Sequence, residues 1–206
     1  MNILKKTYTR LITLPDLGWK KEKEGNQVVL WINPERTIAL SLSWFKKEPV
    51  IPTIKDIQVL RDYYRKGISA SGGGLIEVDI VQLNSLPTVK TIFKIPQESA
   101  GTLYIASLTI PFQNASCVIK IEAPEQEPYG SRESGIKAND PAFENIPADP
   151  YDPRFKEGAL MTKSEEPVFD NAFPDHALSL TRSILKQIEK ESLFNQKILK
   201  QKAFNK

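Results

Sequence analysis

The apolar positions of this chain change period several times, and each change marks an element. Val28–Ile32 is a short apolar run, and Thr37–Phe45, rich in Ile, Leu, Trp and Phe, follows it. Asn33-Pro34-Glu35-Arg36 between them has turn chemistry, because proline fixes φ and asparagine bonds locally. The two runs read as a hairpin, and Tyr8–Leu14 reads as an earlier strand. From Thr53 the period becomes helical: Ile54, Ile57, Leu60, Tyr64 and Ile68 share one face. Thr53 with Asp56 predicts a capping-box variant at the start of this helix. Gly72-Gly73-Gly74, which tolerate left-handed backbone, predict its end.

Four strand-like runs come next. In Leu75–Leu83, Ile76, Val78 and Ile80 alternate with Glu77 and Asp79. Val89–Ile95, Thr102–Ile110 and Ser116–Glu122 follow, with Pro87, Pro96, Gly101 and Pro111 at the breaks. Such short links imply an antiparallel meander. Thr102–Ile110, apolar almost throughout, is expected to be central and covered on both faces. Near the C-terminus Ala177, Leu180, Thr181, Ile184, Leu185 and Ile188 form a helical stripe, with Asp175 as its expected N-cap. From Lys197 the chain is basic and is expected to fray or to bind something. Two helices separated by a meander can cover opposite faces of one sheet. The expected fold is therefore α+β, a three-layer α/β/α sandwich with a central antiparallel sheet, in a single domain of residues 1–206. Its core is expected over about 8–122 and 175–194, with a basic tail over 195–206.

Between these parts, from Ala123 to Asp175, no apolar period holds, so residues 123–174 read as a long irregular strap. The stretch Ala123–Asp175 holds eight of the fifteen prolines and three Asp-Pro pairs, Asp140-Pro141, Asp149-Pro150 and Asp152-Pro153. It also holds Tyr129, Phe143, Tyr151, Phe155, Phe169 and Phe173, whereas disordered acidic linkers are poor in aromatics. Twelve Asp/Glu against five Lys/Arg give it a net charge of −7 and leave +10 for the rest of a chain whose total is +3. Opposite charges attract, so the strap is expected to dock on the folded body and to deliver Asp175 to the closing helix.

Candidate chemistry is sparse. His176 is the only histidine; it would suit a general base beside Glu133 or Asp175, but capping or packing of the helix end is the stronger expectation. Ser69–Gly74 runs helix, glycines, strand, the reverse of a phosphate-cradling loop. Gly130-Ser131-Arg132-Glu133-Ser134-Gly135 is not spaced as a nucleophile elbow. Asp149, Asp152 and Glu157 do not follow an EF-hand spacing, and no cysteine–histidine set for zinc is present. Neither a metal nor another cofactor is expected. Cys117, the one cysteine, permits no intrachain disulfide and reads as inert core. Met1–Tyr8 has charges without a following apolar region, unlike a signal peptide. No run approaches the ~18 apolar residues of a membrane span, and a cytoplasmic protein is expected.

The stretch from Leu75–Asp79 to Tyr104–Pro111, preceded by a helix and followed by Gly130–Ser134, resembles bacterial proteins of the PsbP-like α/β/α sandwich superfamily. The resemblance covers about residues 28–136 and the closing helix. Asp149–Pro153 with Phe173–Ser179 looks like the corresponding segments of uncharacterised bacterial relatives. The resemblance implies a non-enzymatic protein-binding module and carries over no catalytic residue. The long acidic insertion departs from the compact members.

The leading expectation is a non-catalytic, cytoplasmic protein-binding or accessory protein, partnered by another protein through Tyr129, Arg132, Glu133, Tyr151, Phe155 and His176. The alternative is a small hydrolase-type enzyme with a cleft under residues 123–174, using His176, Glu133 and Arg132. A weaker one is nucleic-acid binding by Lys186, Lys190, Lys197, Lys200, Lys202 and Lys206. Glu189 and Glu191 dilute that tail, which also lacks interleaved aromatics.

Overall fold

The computed structural model describes residues 8–98 and 100–206, and the reading of the chain before Tyr8 lies outside them. After a tight helical turn, Tyr8–Leu11, come β1 (Ile12–Thr13), β2 (Lys20–Glu24), β3 (Val28–Ile32), β4 (Ala39–Phe45), α1 (Ile57–Ser69), β5 (Gly74–Leu83), β6 (Leu86–Pro96), β7 (Thr102–Phe112) and β8 (Ala115–Pro124). α2 (Ser131–Asn139), β9 (Pro147–Ala148), β10 (Met161–Thr162), α3 (Ala177–Glu191), β11 (Leu193–Phe194) and α4 (Gln196–Leu199) follow. Seven strands form one antiparallel sheet in the order β2-β3-β4-β8-β7-β6-β5. The fold class is α+β, as the hydrophobic pattern predicts.

Alternation along β6 separates the two faces of the sheet. Ile92 joins a core formed with Leu108, Ile119, Leu178, Leu185 and Ile188, so α3 lies on that face. Val89 and Phe93 point the other way, to Leu60 of α1 and to Leu75 and Val78. Leu60 is fully buried, and truncating it to alanine costs about 2–5 kcal/mol. α1 packs chiefly on β5, so coverage of β7 is uneven. Tyr104, Ala106, Leu108 and Ile110 are buried, while Leu103, Ile105 and Ser107 on the opposite face are only half-buried.

Several boundaries differ from the sequence expectation. Thr53 spends its hydroxyl on the Lys55 amide, so α1 starts later, with Asp56 accepting from the amides of Gln58 and Val59. Tyr8–Leu14 is a helical turn and a two-residue strand, β1, paired with β11. A bulge at Ile76 interrupts the alternation in β5, so Ile76 packs on the α3 side while Val78 and Ile80 face α1. His176, not Asp175, caps α3. Residues 195–206 fold back onto the body instead of fraying. Ile198 and Phe204 are core, and the Lys206 carbonyl accepts from the Ile54 amide.

The segment 123–174 is not wholly irregular. Ala123 and Pro124 are the last residues of β8, α2 occupies 131–139, and β9 pairs with β10. It is bound to the body by charge. Arg65 of α1 grips Asp149, Lys94 of β6 pairs with Glu165 at 2.6 Å, and Arg182 of α3 meets Asp170 at 2.9 Å. It also closes an edge of the sheet. Tyr151 Oη accepts from the Val78 amide at 2.8 Å, and the Ala159 amide donates to the Gly73 carbonyl at 3.0 Å. Gly74 lies so close to this passage that a Cβ there would sit 1.5 Å from the Ala159 oxygen. The opposite edge, β2, is protected differently, by the exposed charges Lys20-Lys21-Glu22-Lys23-Glu24 and a bulge.

Candidate functional site

The start of α3 is where the strap meets the sheet. His176 Nδ1 accepts the Leu178 amide at 3.2 Å, and its ring packs edge-on against Tyr104 with centroids 5.6 Å apart. Its Nε2 lies 3.8 Å from Glu125 Oε1, and both side chains are over nine-tenths buried. With the Nδ1 lone pair committed to the helix, the neutral ring carries its proton on Nε2, toward Glu125. No basic nitrogen is left facing a substrate. Burial pushes the Glu125 carboxyl up, but the nearby His176 ring and a hydrogen bond from the Gly130 amide outweigh it and hold the group below the ordinary glutamate value.

Arg132 is buried and saturated. It donates to the carbonyls of Ser164 and Glu166, to Ser179 Oγ, and to Asp170 at 2.9 Å. Burial lowers its affinity for the proton, opposed by the Asp170 carboxylate. Glu133 faces Lys137 one turn along α2, at 2.9 Å, and that bond holds its carboxyl low. Tyr151 lies beneath the guanidinium of Arg61, 3.8 Å from the ring centroid, and Phe155 lies 5.5 Å from that of Arg65. Asp149 is spent on Arg65 and Asp152 on Arg154. Tyr129 is 41% exposed and packs on Gly101. The six sequence candidates therefore do not converge. Tyr151 and Phe155 belong to the α1 side, while Arg132 and His176 serve the anchorage of α3.

A depression of about 320 Å³ opens beside His176, walled by Glu125, Gln126, Glu127, Ser131, Phe173 and Leu180. Neither Arg132 nor Glu133 lines it. A second, of about 660 Å³, adjoins it across Thr37, Ile38, Asp175 and Leu180, and continues past Glu35 to Asp16, Leu17 and Trp19. Together they make one groove between the start of α3, the β3–β4 turn and the chain before β2. The β3–β4 turn is held rigid by Asn33, whose Oδ1 accepts from the amides of Thr37 and Ile38.

No protein-family model matches the chain, and no curated protein matches it. Solved structures are similar to it. A variant of the protein Mog1 is 10% identical over 92% of this chain and 93% of its own, with a TM-score of 0.45. Cyanobacterial PsbP (CyanoP) from Synechocystis sp. PCC 6803 is 8% identical over 64% of this chain and 82% of its own, with a TM-score of 0.38. A protein from Bacteroides thetaiotaomicron VPI-5482 is 14% identical over 61% of this chain, with a TM-score of 0.37, and the match spans 42% of its length. The likeness is distant. Among the described residues no helix is long and apolar enough to cross a membrane.

The groove gathers side chains that sequence reasoning passed over: Asp16, Trp19, Glu35, Glu125 and Glu127. They come from segments far apart in the chain, and no local spacing signals their meeting. Asp175, which the sequence offers as a cap and as a carboxylate beside His176, stands on the groove wall, exposed.

Proposed function

We propose that this chain is a non-catalytic, cytoplasmic protein-binding or accessory protein of the PsbP-like type, and that its groove beside α3 is the binding surface. The observation that carries this reading is the contrast between the groove and the strap. Arg132, Asp149, Glu165 and Asp170 of the strap are used up in holding the fold, while the groove is open, half apolar, and rimmed by Glu35, Glu127 and Asp175, which have no cationic partner among the described residues. His176 and Tyr129 contribute to binding from the groove's end, Tyr129 lying two residues from Glu127. Arg132, Glu133, Tyr151 and Phe155 act by holding the surface in place. A hydrolase built on His176, Glu133 and Arg132 would need a free nitrogen on His176, which its capping role does not leave.

The test is site-specific photocrosslinking in the cells that make the protein. A photoreactive residue replaces Gln126, an exposed part of the wall. One discrete protein adduct is expected, and it should weaken when Glu127→Lys is added. An adduct pattern identical to that of a photoreactive residue at Lys156, on the far strap, would count against the reading.

A further inference from the structure

The groove's charge is at odds with the molecule that carries it. The chain has a net charge of +3. Yet the residues lining the two depressions include Asp16, Glu35, Glu125, Glu127 and Asp175 and, among the described residues, no Lys or Arg. Glu125 is accounted for by His176 and the Gly130 amide. Glu35, Glu127 and Asp175 are exposed and have no cationic partner among the described residues. Glu35 accepts only from the neutral Asn33 amide. Among the described residues, exposed acids without a cationic partner also occur on the strap, at Asp140, Glu144 and Glu157, but in the groove three of them rim one depression. The groove floor is apolar, supplied by Ile38, Leu180 and Ile184.

We propose that the groove takes a segment of a partner protein in which lysine or arginine alternates with apolar residues, the cations meeting Glu35, Glu127 and Asp175 and the apolar side chains covering Leu180 and Ile184. This rests on the reading of the groove as the binding surface and names the chemistry of what binds there. Two physical requirements meet in such a segment. Apolar groups give up water on the floor, while cations remain at a wet rim where attraction is screened by salt. The same carboxylates repel polyanions and acidic peptides, so the surface selects by exclusion as well as by attraction. A purely apolar segment would leave three carboxylates without gain.

Fluorescence anisotropy with defined labelled peptides tests this: a short peptide alternating arginine with leucine, its glutamate–leucine counterpart, and a glycine–serine peptide. The arginine–leucine peptide is expected to bind and the other two are not. Glu35→Lys with Glu127→Lys should weaken binding about tenfold or more, a difference of about 1.4 kcal/mol. Raising the salt concentration should weaken it in wild type. Glu127→Lys alone, at an exposed side chain with no hydrogen bond, keeps the test open if the double variant fails to fold. Glu157→Lys on the strap should change nothing. Equal binding of the glutamate–leucine peptide, indifference to the Glu127 reversal, or no binding of the arginine–leucine peptide would each overturn the proposal. If the Gln126 crosslink to a discrete partner persists in those cases, the binding-surface reading stands and only the partner's chemistry is wrong. If the crosslink is lost as well, both fall.

Discussion

Arg65 and Asp149, 84 residues apart, meet in a two-pronged ion pair: Arg65 Nε and Nη2 reach the two oxygens of Asp149, each at 2.9 Å. Both side chains are under a tenth exposed. Asp149 Oδ1 also accepts from the amides of Tyr151 and Asp152, so one carboxylate fixes the strap's turn and fastens it to α1. The Asp149 bond raises Arg65's hold on its proton, which burial alone would lower.

Removing one partner of a buried pair strips the other charge of compensation, and Arg65 would keep only Asp62, whose side chain is 59% exposed. Asp149→Ala is therefore expected to lower the unfolding free energy by about 3–5 kcal/mol, read from urea unfolding. Asp152→Ala, at a pair whose arginine is 89% exposed, should leave the midpoint unchanged. Equal midpoints for all three proteins would show that the strap is not fastened here.

Two glycines close in sequence should respond in opposite ways. Gly74→Ala drives a Cβ into the Ala159 carbonyl, and such overpacking costs about 1–3 kcal/mol. Gly67, in α1, has nothing within 4 Å of the added carbon; Gly67→Ala should stabilise by roughly 0.5–1 kcal/mol. Thermal melts of the two variants measure the contrast, and a stabilised Gly74→Ala would contradict the observed approach of strap and sheet.

Acid should loosen the start of α3. Glu125's carboxyl is depressed in the folded state from its ordinary value of 4.5. Its stabilising contribution is therefore fully present above that value and is lost as the pH falls through the lower, folded one. Glu125→Gln should be less stable than wild type at neutral pH, with the gap closing below about pH 4. A gap that stays constant down to acid pH would remove Glu125 from the account.

Cys117 should behave as core. Complete burial pushes its thiol well above the ordinary range, and the thiolate is the reactive form. Maleimide labelling is expected to track global unfolding in urea, with none under native conditions; rapid native labelling would contradict its place in β8.

What the sequence made legible was whatever repeats locally. The meander strands and the Leu185–Ile188 stripe of α3 follow from period alone. α2 did not, because its inward residues are Ile136 and Arg132, and an arginine is not read as apolar. Ile76 lies on the face opposite to the one alternation predicts, because a bulge shifts alternation without altering composition. The charge imbalance between strap and body showed that docking should occur, but the pairing of Asp149 with Arg65 and of Glu165 with Lys94 is set by tertiary structure. The groove was invisible for the same reason: Asp16, Glu35, Glu127 and Asp175 are neighbours only once the sheet has brought four separate segments together.

The strap's cover over β5 also has an order in time. A ribosome delivers Val78 well before it delivers Tyr151 and Ala159. During that interval the Val78 amide and the Gly73 carbonyl belong to a bare strand, able to pair with the same strand of another nascent chain. A full-length variant with Tyr151→Phe and Ala159→Pro, which removes both contacts to this edge and keeps α3, should therefore sediment as dimers and larger species where the wild type does not. The edge of β5 stays open until the chain grows past Ala159, and the sheet face under Leu178, Leu185 and Ile188 until α3 is complete, which makes stalled or prematurely terminated copies the hazardous ones.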